Sequence, residues 1–154
     1  MNEPKDYSIM RRLLLLLMLS LPMVLRAQTG LGINSLFQGK IVPQERMVET
    51  RVRGRSISAY GLSFYRSVRA EVSRQELLRI EGLYKIDAKE AMEQETKKKS
   101  DSWCNSLIAL PAKGGKGRFL SFQYKRKGSQ YSLTVVYLEG SATTIADLRS
   151  RIKM

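Results

Sequence analysis

The chain has 154 residues, of which 27 are lysine or arginine, 14 are aspartate or glutamate and none is histidine, so its formal charge at pH 7 is +13. The missing histidine removes the usual general base, the serine–histidine pair and the commonest metal ligand. The single cysteine, Cys104, excludes an internal disulfide, CxxC redox chemistry and a cysteine-cage zinc site. We therefore predict no cofactor and no metal, and the length indicates one domain.

The N-terminus has the pattern of a secretory signal peptide. Basic residues precede thirteen apolar or small residues, Leu13–Leu25, and Arg26-Ala27 follows them. A spanning helix needs about 20 apolar residues, and Arg26 ends the run before that length. We predict a signal peptide over residues 1–27, a periplasmic or secreted location and no spanning helix in the mature chain. The alternative is an uncleaved N-terminal segment that anchors the protein.

Cleavage after Ala27 would remove four basic and two acidic side chains and leave a charge of +11. Residues 28–46 are then predicted to be a leader or linker, in which Leu36-Phe37 can form one helical turn. Residues 47–154 are predicted to be a single domain.

Two strands are predicted to open this domain. Met47–Arg53 alternates apolar and charged residues, and Leu62–Val72 follows after a loop or short helical turn. On the second strand Leu62 is expected to share the apolar face with Phe64, and Arg66 interrupts that face. Arg66 either extends its head to water at the sheet margin or binds an anion in a pocket.

A long helix follows the second strand. Ser73 and Glu76 form a capping box, and apolar residues recur at helical spacing after it. Glutamate-to-lysine pairs four residues apart extend the prediction to about Lys98, with Lys97–Lys99 in the last turn.

The second half of the domain is predicted to be a three-strand meander and a final helix. The first of these strands is Trp103–Leu110, and Arg118–Leu138 is a hairpin whose two-residue turn is Lys127-Gly128 or Gly128-Ser129. Either turn places Phe122 and Val135 on one face. A second capping box, Thr144 to Asp147, opens the last helix.

These elements indicate the α+β class: an antiparallel sheet of about five strands, in the order β-β-α-β-β-β-α, with two helices packed on one face. A phosphate loop at Lys113–Gly117 is rejected because GxxxxGK[ST] spacing is missing and a strand follows it.

The strongest functional hint is the positive charge, which attracts nucleic acid, anionic lipid or acidic glycan without reading a sequence. Sequence-specific nucleic-acid binding is not predicted. Stacking aromatic residues would strengthen a nucleic-acid assignment, but Tyr65 is the only outward aromatic residue on its strand. Basic side chains in two loops are candidates for anion binding: Lys113, Lys116, Arg118, Lys125, Arg126 and Lys127.

Three stretches then point to a family: MVETRVRGRSISAYGLSFYRSV, LPAKGGKGRFLSF and LTVVYLEGSATTIADLRSRI. Together they resemble a group of small exported Bacteroidota proteins catalogued as a domain of unknown function. The resemblance covers residues 36–152 and implies an envelope or secreted location, without an activity. Arg66 and Glu139 lie in its motifs, and a structural ion pair between them is the hypothesis that follows.

The function predicted from the sequence is a non-enzymatic binding domain of the cell envelope, whose partner is an envelope protein or an acidic polymer. One alternative is electrostatic binding of an acidic polymer through the basic loops. A carboxylate-based enzyme is a second alternative, although the carboxylates of the long helix are interleaved with lysines as ion-pair partners.

Overall fold

A computed structural model of the protein describes residues 30–152. The predicted signal peptide lies outside the described residues. The described chain forms four α-helices, a 3₁₀ turn at Gln44–Arg46 and six strands. In chain order they are α1 (Asn34–Phe37), β1 (Met47–Arg53), α2 (Arg55–Ser58), β2 (Leu62–Val72), α3 (Arg74–Ala88), β3 (Glu93–Lys99), β4 (Trp103–Lys113), β5 (Lys116–Lys127), β6 (Gln130–Gly140) and α4 (Ile145–Ile152).

The six strands form one antiparallel sheet in the order β1-β2-β6-β5-β4-β3. The α+β class is confirmed, but the predicted number of about five strands is one too low. The additional strand is β3, which lies where the sequence predicted the end of the long helix. That helix ends at Ala88, ten residues before the predicted end at Lys98.

The sequence predicts helix for β3 because this strand lacks the alternation of apolar and polar residues that indicates a strand. All seven of its residues are exposed, and they pair in register with β4 from Glu93↔Ala109 to Lys99↔Trp103. Glutamate and lysine four residues apart suit a helix surface, but they equally suit a charged edge strand that discourages foreign pairing. The free edge of β4 therefore decides the conformation of this segment, and local propensity does not.

The predicted hairpin is confirmed in its turn and its register. Lys127 pairs with Gln130, so Gly128-Ser129 is the turn, and Gly128 has a φ of 62°. Phe122 lies opposite Val135, as the alternation requires.

The two longest helices, α3 and α4, lie on opposite faces of the sheet. The prediction that both predicted helices pack on one face is therefore wrong. Tyr84 of α3 stacks on Phe122 with ring centroids 5.1 Å apart. Ile145 and Leu148 of α4 instead belong to a buried cluster with Phe119 and Leu138. Phe119 and Phe122 have opposite parity on β5, so they point to opposite faces. We call the side of the sheet under α3 the α3 face. The side under α4 carries a groove that α4 helps to line, and we call it the groove face.

Leu62 also lies on a different face from the one predicted. The register between β2 and β6 shifts between Leu62 and Phe64, because Leu62 pairs with Gly140 while Phe64 pairs with Glu139. This irregularity reverses the side-chain direction of Leu62, which packs against the α4 cluster.

The predicted leader is part of the folded core from Ile33 onward. Ile33, Leu36 and Val42 are fully buried. The carboxylate of Asp87, at the end of α3, accepts hydrogen bonds from the backbone N–H groups of Gly32 (2.7 Å) and Ile33 (2.9 Å). Burial raises the pKa of Asp87, and the two backbone hydrogen bonds oppose that shift. The end of α3 therefore holds the segment that contains Gly32 and Ile33.

No helix in residues 30–152 has both the length and the apolar character needed to cross a membrane.

Candidate functional site

The groove face carries a groove of about 550 Å³, which is within the range of about 300–1,000 Å³ typical of ligand sites. Ile57 and Tyr60, from α2 and the turn after it, line the groove together with Tyr65 of β2. Leu148, Arg149 and Ile152 of α4 also line it. Because α2 contacts β1 and β2 while α4 contacts β4, these two sets form opposite walls.

The floor of the groove is formed by the adjacent strands β6, β5 and β4. The lining residues are apolar on β6 (Val136 and Leu138), polar on β5 (Ser121 and Gln123) and one of each kind on β4 (Leu107 and Asn105). Gln123 donates a hydrogen bond to the Ser121 hydroxyl at 3.1 Å, which orients its amide. Arg149 is oriented by an ion pair with Glu95 of the edge strand.

The polar lining of the groove consists of amide, hydroxyl and guanidinium groups. Such groups donate and accept hydrogen bonds, but they do not exchange protons readily near neutral pH. Together with the tyrosine rings they can hold a ligand that has one apolar surface and several hydroxyl or carbonyl groups. Hydrogen bonding and contact with aromatic rings are therefore the interactions that the groove lining offers.

Three glycines fix one end of the groove. Gly117 and Gly140 lie opposite each other on β5 and β6, and a Cβ atom on Gly117 would overlap the carbonyl oxygen of Ala142. A Cβ atom on Gly140 would meet the carbonyl oxygen of Gly61, which accepts a hydrogen bond of 2.9 Å from the N–H of Ser141. This close backbone packing sets both the turn that carries Tyr60 and the approach to α4.

Beyond the groove, the sheet surface continues as an exposed basic region. Residues two apart on a strand share a face, so Trp103 lies on the groove face with Asn105, and Lys125 lies there with Gln123. Trp103 is flanked in register by Lys99 of β3 and Lys125 of β5, and its exposed fraction is 37%. We call the exposed set Lys97, Lys99, Trp103, Lys125 and Arg69 the Trp103 patch.

The six predicted anion-binding residues do not form one site. Lys113 and Lys116 flank the β4–β5 turn together with Arg118, whereas Lys125, Arg126 and Lys127 lie at the β5–β6 turn. The twelve-residue strand β5 separates the two ends by about 36 Å. Arg118 donates to the carbonyl of Pro111, Arg126 to that of Gly128, and Lys127 pairs with Glu71. The structure joins only Lys125 to the Trp103 patch.

Arg66 has a different partner from the predicted Glu139. Its Nε donates to Glu49 at 2.7 Å, its Nη2 donates to the carbonyl of Phe37 at 3.3 Å, and its guanidinium lies 4.5 Å from the centre of the Phe37 ring. Glu139 instead accepts a hydrogen bond of 2.8 Å from the hydroxyl of Tyr137. Strand β2 lies between β6, which carries Glu139, and β1, which carries Glu49. Glu49 therefore reaches Arg66 from the β1 side, and Phe37 also contacts Arg66.

The Arg66–Glu49 pair predicts a pH dependence. Partial burial opposes ionisation of Glu49, but the hydrogen bond and charge of Arg66, with Arg51, hold its pKa below the usual value. A lowered folded-state pKa stabilises the fold above the unfolded pKa of about 4.3 and loses that contribution as the pH falls. We therefore expect Glu49→Gln to lower the urea midpoint at pH 7 and to differ less from wild type at pH 3. Glu93→Gln, on the exposed strand β3, is the matched control; a difference at pH 3 as large as at pH 7 would contradict the assignment.

Sequence reasoning missed the groove because its lining residues come from six separate elements. Tyr65 was recognised as outward-facing, and it lines the groove. The sequence does indicate that Asn105, Ser121 and Gln123 lie on one outward face of their strands, since they alternate with apolar residues. Only the strand order shows that these positions meet.

The fold and the groove define a small α+β domain with a single antiparallel sheet, a helix on each face and a half-polar cleft. A family model described as "Family of unknown function (DUF6108)" matches residues 20–152. The chain belongs to this family, which confirms the prediction of a domain without an assigned function. No curated protein and no solved structure matches the chain.

Proposed function

We propose that this protein is an exported, non-enzymatic binding domain of the cell envelope that holds its ligand in the groove. The observation that carries the proposal is the groove itself, a preformed cleft lined by two tyrosines, two amides and one guanidinium. The signal-peptide pattern of residues 1–27 supports an exported location.

The location is tested by fractionating cells that produce the protein and by measuring its mass. We expect a chain that begins at or near Gln28 in the exported fraction. An intact chain of 154 residues in the cytosol would overturn the exported part of the proposal.

The groove is tested by filling it. Gln123→Trp places a large ring in the lining at an exposed position, so the fold should tolerate it while the cleft loses volume. We expect the variant to retain about one tenth or less of the envelope material that the wild-type protein captures, because a filled hot-spot cleft loses at least about tenfold in affinity. Gln94→Trp, on exposed β3, is the matched control and should capture as much as wild type. Equal capture by both variants would exclude the groove as the binding site.

A second candidate function is electrostatic binding of an acidic polymer. The observation in its favour is that Lys113, Lys116 and Lys125 have no carboxylate partner within residues 30–152. Such binding should weaken steeply with salt, and retention on a heparin resin that is insensitive to salt would exclude it.

A further inference from the structure

We propose that the Trp103 patch binds an acidic polysaccharide whose chain continues into the groove, so this inference deepens the proposed binding function by naming the ligand class. The patch and the groove share one surface. Lys97 lies in register with Asn105, which lies in register with Gln123, and both amides line the groove.

Within residues 30–152 no cation of the patch has a carboxylate partner, and Glu95, two residues before Lys97 on β3, is paired with Arg149. The four cations of the patch are Lys97, Lys99, Lys125 and Arg69. Glu71, which lies opposite Ser132 near Lys125, is already paired with Lys127 at 3.3 Å. Lys99 and Lys125 are two strands apart, which is about 10 Å and about the length of a disaccharide. The surface is therefore complementary to an acidic polysaccharide in which carboxylates two sugars apart face the protein.

The side chains favour a glycan over a nucleic acid. Single-stranded nucleic acids are held by successive aromatic rings that stack on the bases, whereas the patch offers one indole. Three of its four cations are lysines, whereas arginine is the residue of choice for nucleic-acid recognition. The adjoining amides of Asn105 and Gln123 can bind pairs of sugar hydroxyls, and an indole can cover the apolar face of a pyranose ring.

The test measures the affinity of the purified full chain for polygalacturonate, with dextran as the neutral polymer and oligo-dT and anionic vesicles as the competing polyanions. Trp103→Ala should weaken binding to polygalacturonate about tenfold or more, by analogy with the loss of one stacked ring, and Trp103→Tyr should restore most of it. Lys99→Ala/Lys125→Ala should lower the slope of log affinity against log salt by about 1 to 2.

The matched control is Lys40→Ala/Lys89→Ala, which removes the same charge at two exposed lysines that belong neither to the Trp103 patch nor to the groove lining. It should change affinity less than twofold. Thermal unfolding of each variant checks that the fold is intact.

Three outcomes would overturn the inference: an equal loss in the control pair, unchanged binding by a folded Trp103→Ala variant, or tighter Trp103-dependent binding to oligo-dT or vesicles. A cytosolic, unprocessed chain would overturn export but not the polymer preference. Capture of envelope material that survives Trp103→Ala and is lost in Gln123→Trp would support the groove and reject the glycan assignment.

Discussion

Gly117→Ala is expected to lower the free energy of unfolding by about 3 kcal/mol or more, the upper part of the range for overpacked sites. The new methyl group would overlap the backbone carbonyl of Ala142, and a backbone group cannot rotate away as a side chain can. Relief requires separating β5 from the segment that leads into α4. For a domain of this size, a change of that magnitude corresponds to a fall in melting temperature of about 10 °C.

The matched control is Gly82→Ala in α3. A Cβ atom on Gly82 meets nothing within 4 Å, so the substitution adds no contact and should stabilise the protein by about 0.5–1 kcal/mol. Thermal and urea unfolding of the two variants should therefore shift in opposite directions. A Gly117→Ala variant as stable as wild type would show that the β5–α4 junction is looser than the described backbone.

Asp87→Ala is expected to lower the free energy of unfolding by about 2–4 kcal/mol and to loosen the packing of residues 33–42. The substitution leaves the N–H groups of Gly32 and Ile33 without their acceptor, and each unsatisfied buried donor costs about 1–3 kcal/mol. Ile33, Leu36 and Phe37 would then lose protection, and Phe37 is the ring that covers Arg66.

Hydrogen exchange of residues 33–42, together with urea unfolding, measures this effect. Exchange in that segment should accelerate at least about 30-fold, since 1.4 kcal/mol corresponds to tenfold in an equilibrium constant. Asp87→Asn keeps one acceptor oxygen and should lose less stability than Asp87→Ala. Glu90→Ala, an exposed carboxylate three residues later, should behave as wild type. Unchanged exchange in Asp87→Ala would mean that apolar packing alone holds the segment.

Much of the fold could be predicted because local patterns agree with the tertiary structure. The bounds of β1 and β2 are the predicted ones, and the capping box from Ser73 to Glu76 forms both of its hydrogen bonds. The β5–β6 hairpin follows from alternation on both strands, because one register alone keeps the apolar set on one face.

Predictions failed where distant contacts outweigh local preference. The segment Glu93–Lys99 has the charge spacing of a helix surface, but Met92 donates to the carbonyl of Ala109 and begins the pairing with β4. Likewise, Arg66 could be recognised as needing a partner, but Glu49 became that partner only because β1 lies beside β2.

The sequence by itself determined the α+β class, the hairpin, the capped helix and the excess of positive charge, since each depends on residues close together along the chain. The tertiary structure alone decided which face each helix covers, which cations share a surface and where the groove lies. These features depend on the order of strands in the sheet, and strand order is set by contacts between residues far apart in sequence, which periodicity and spacing do not encode.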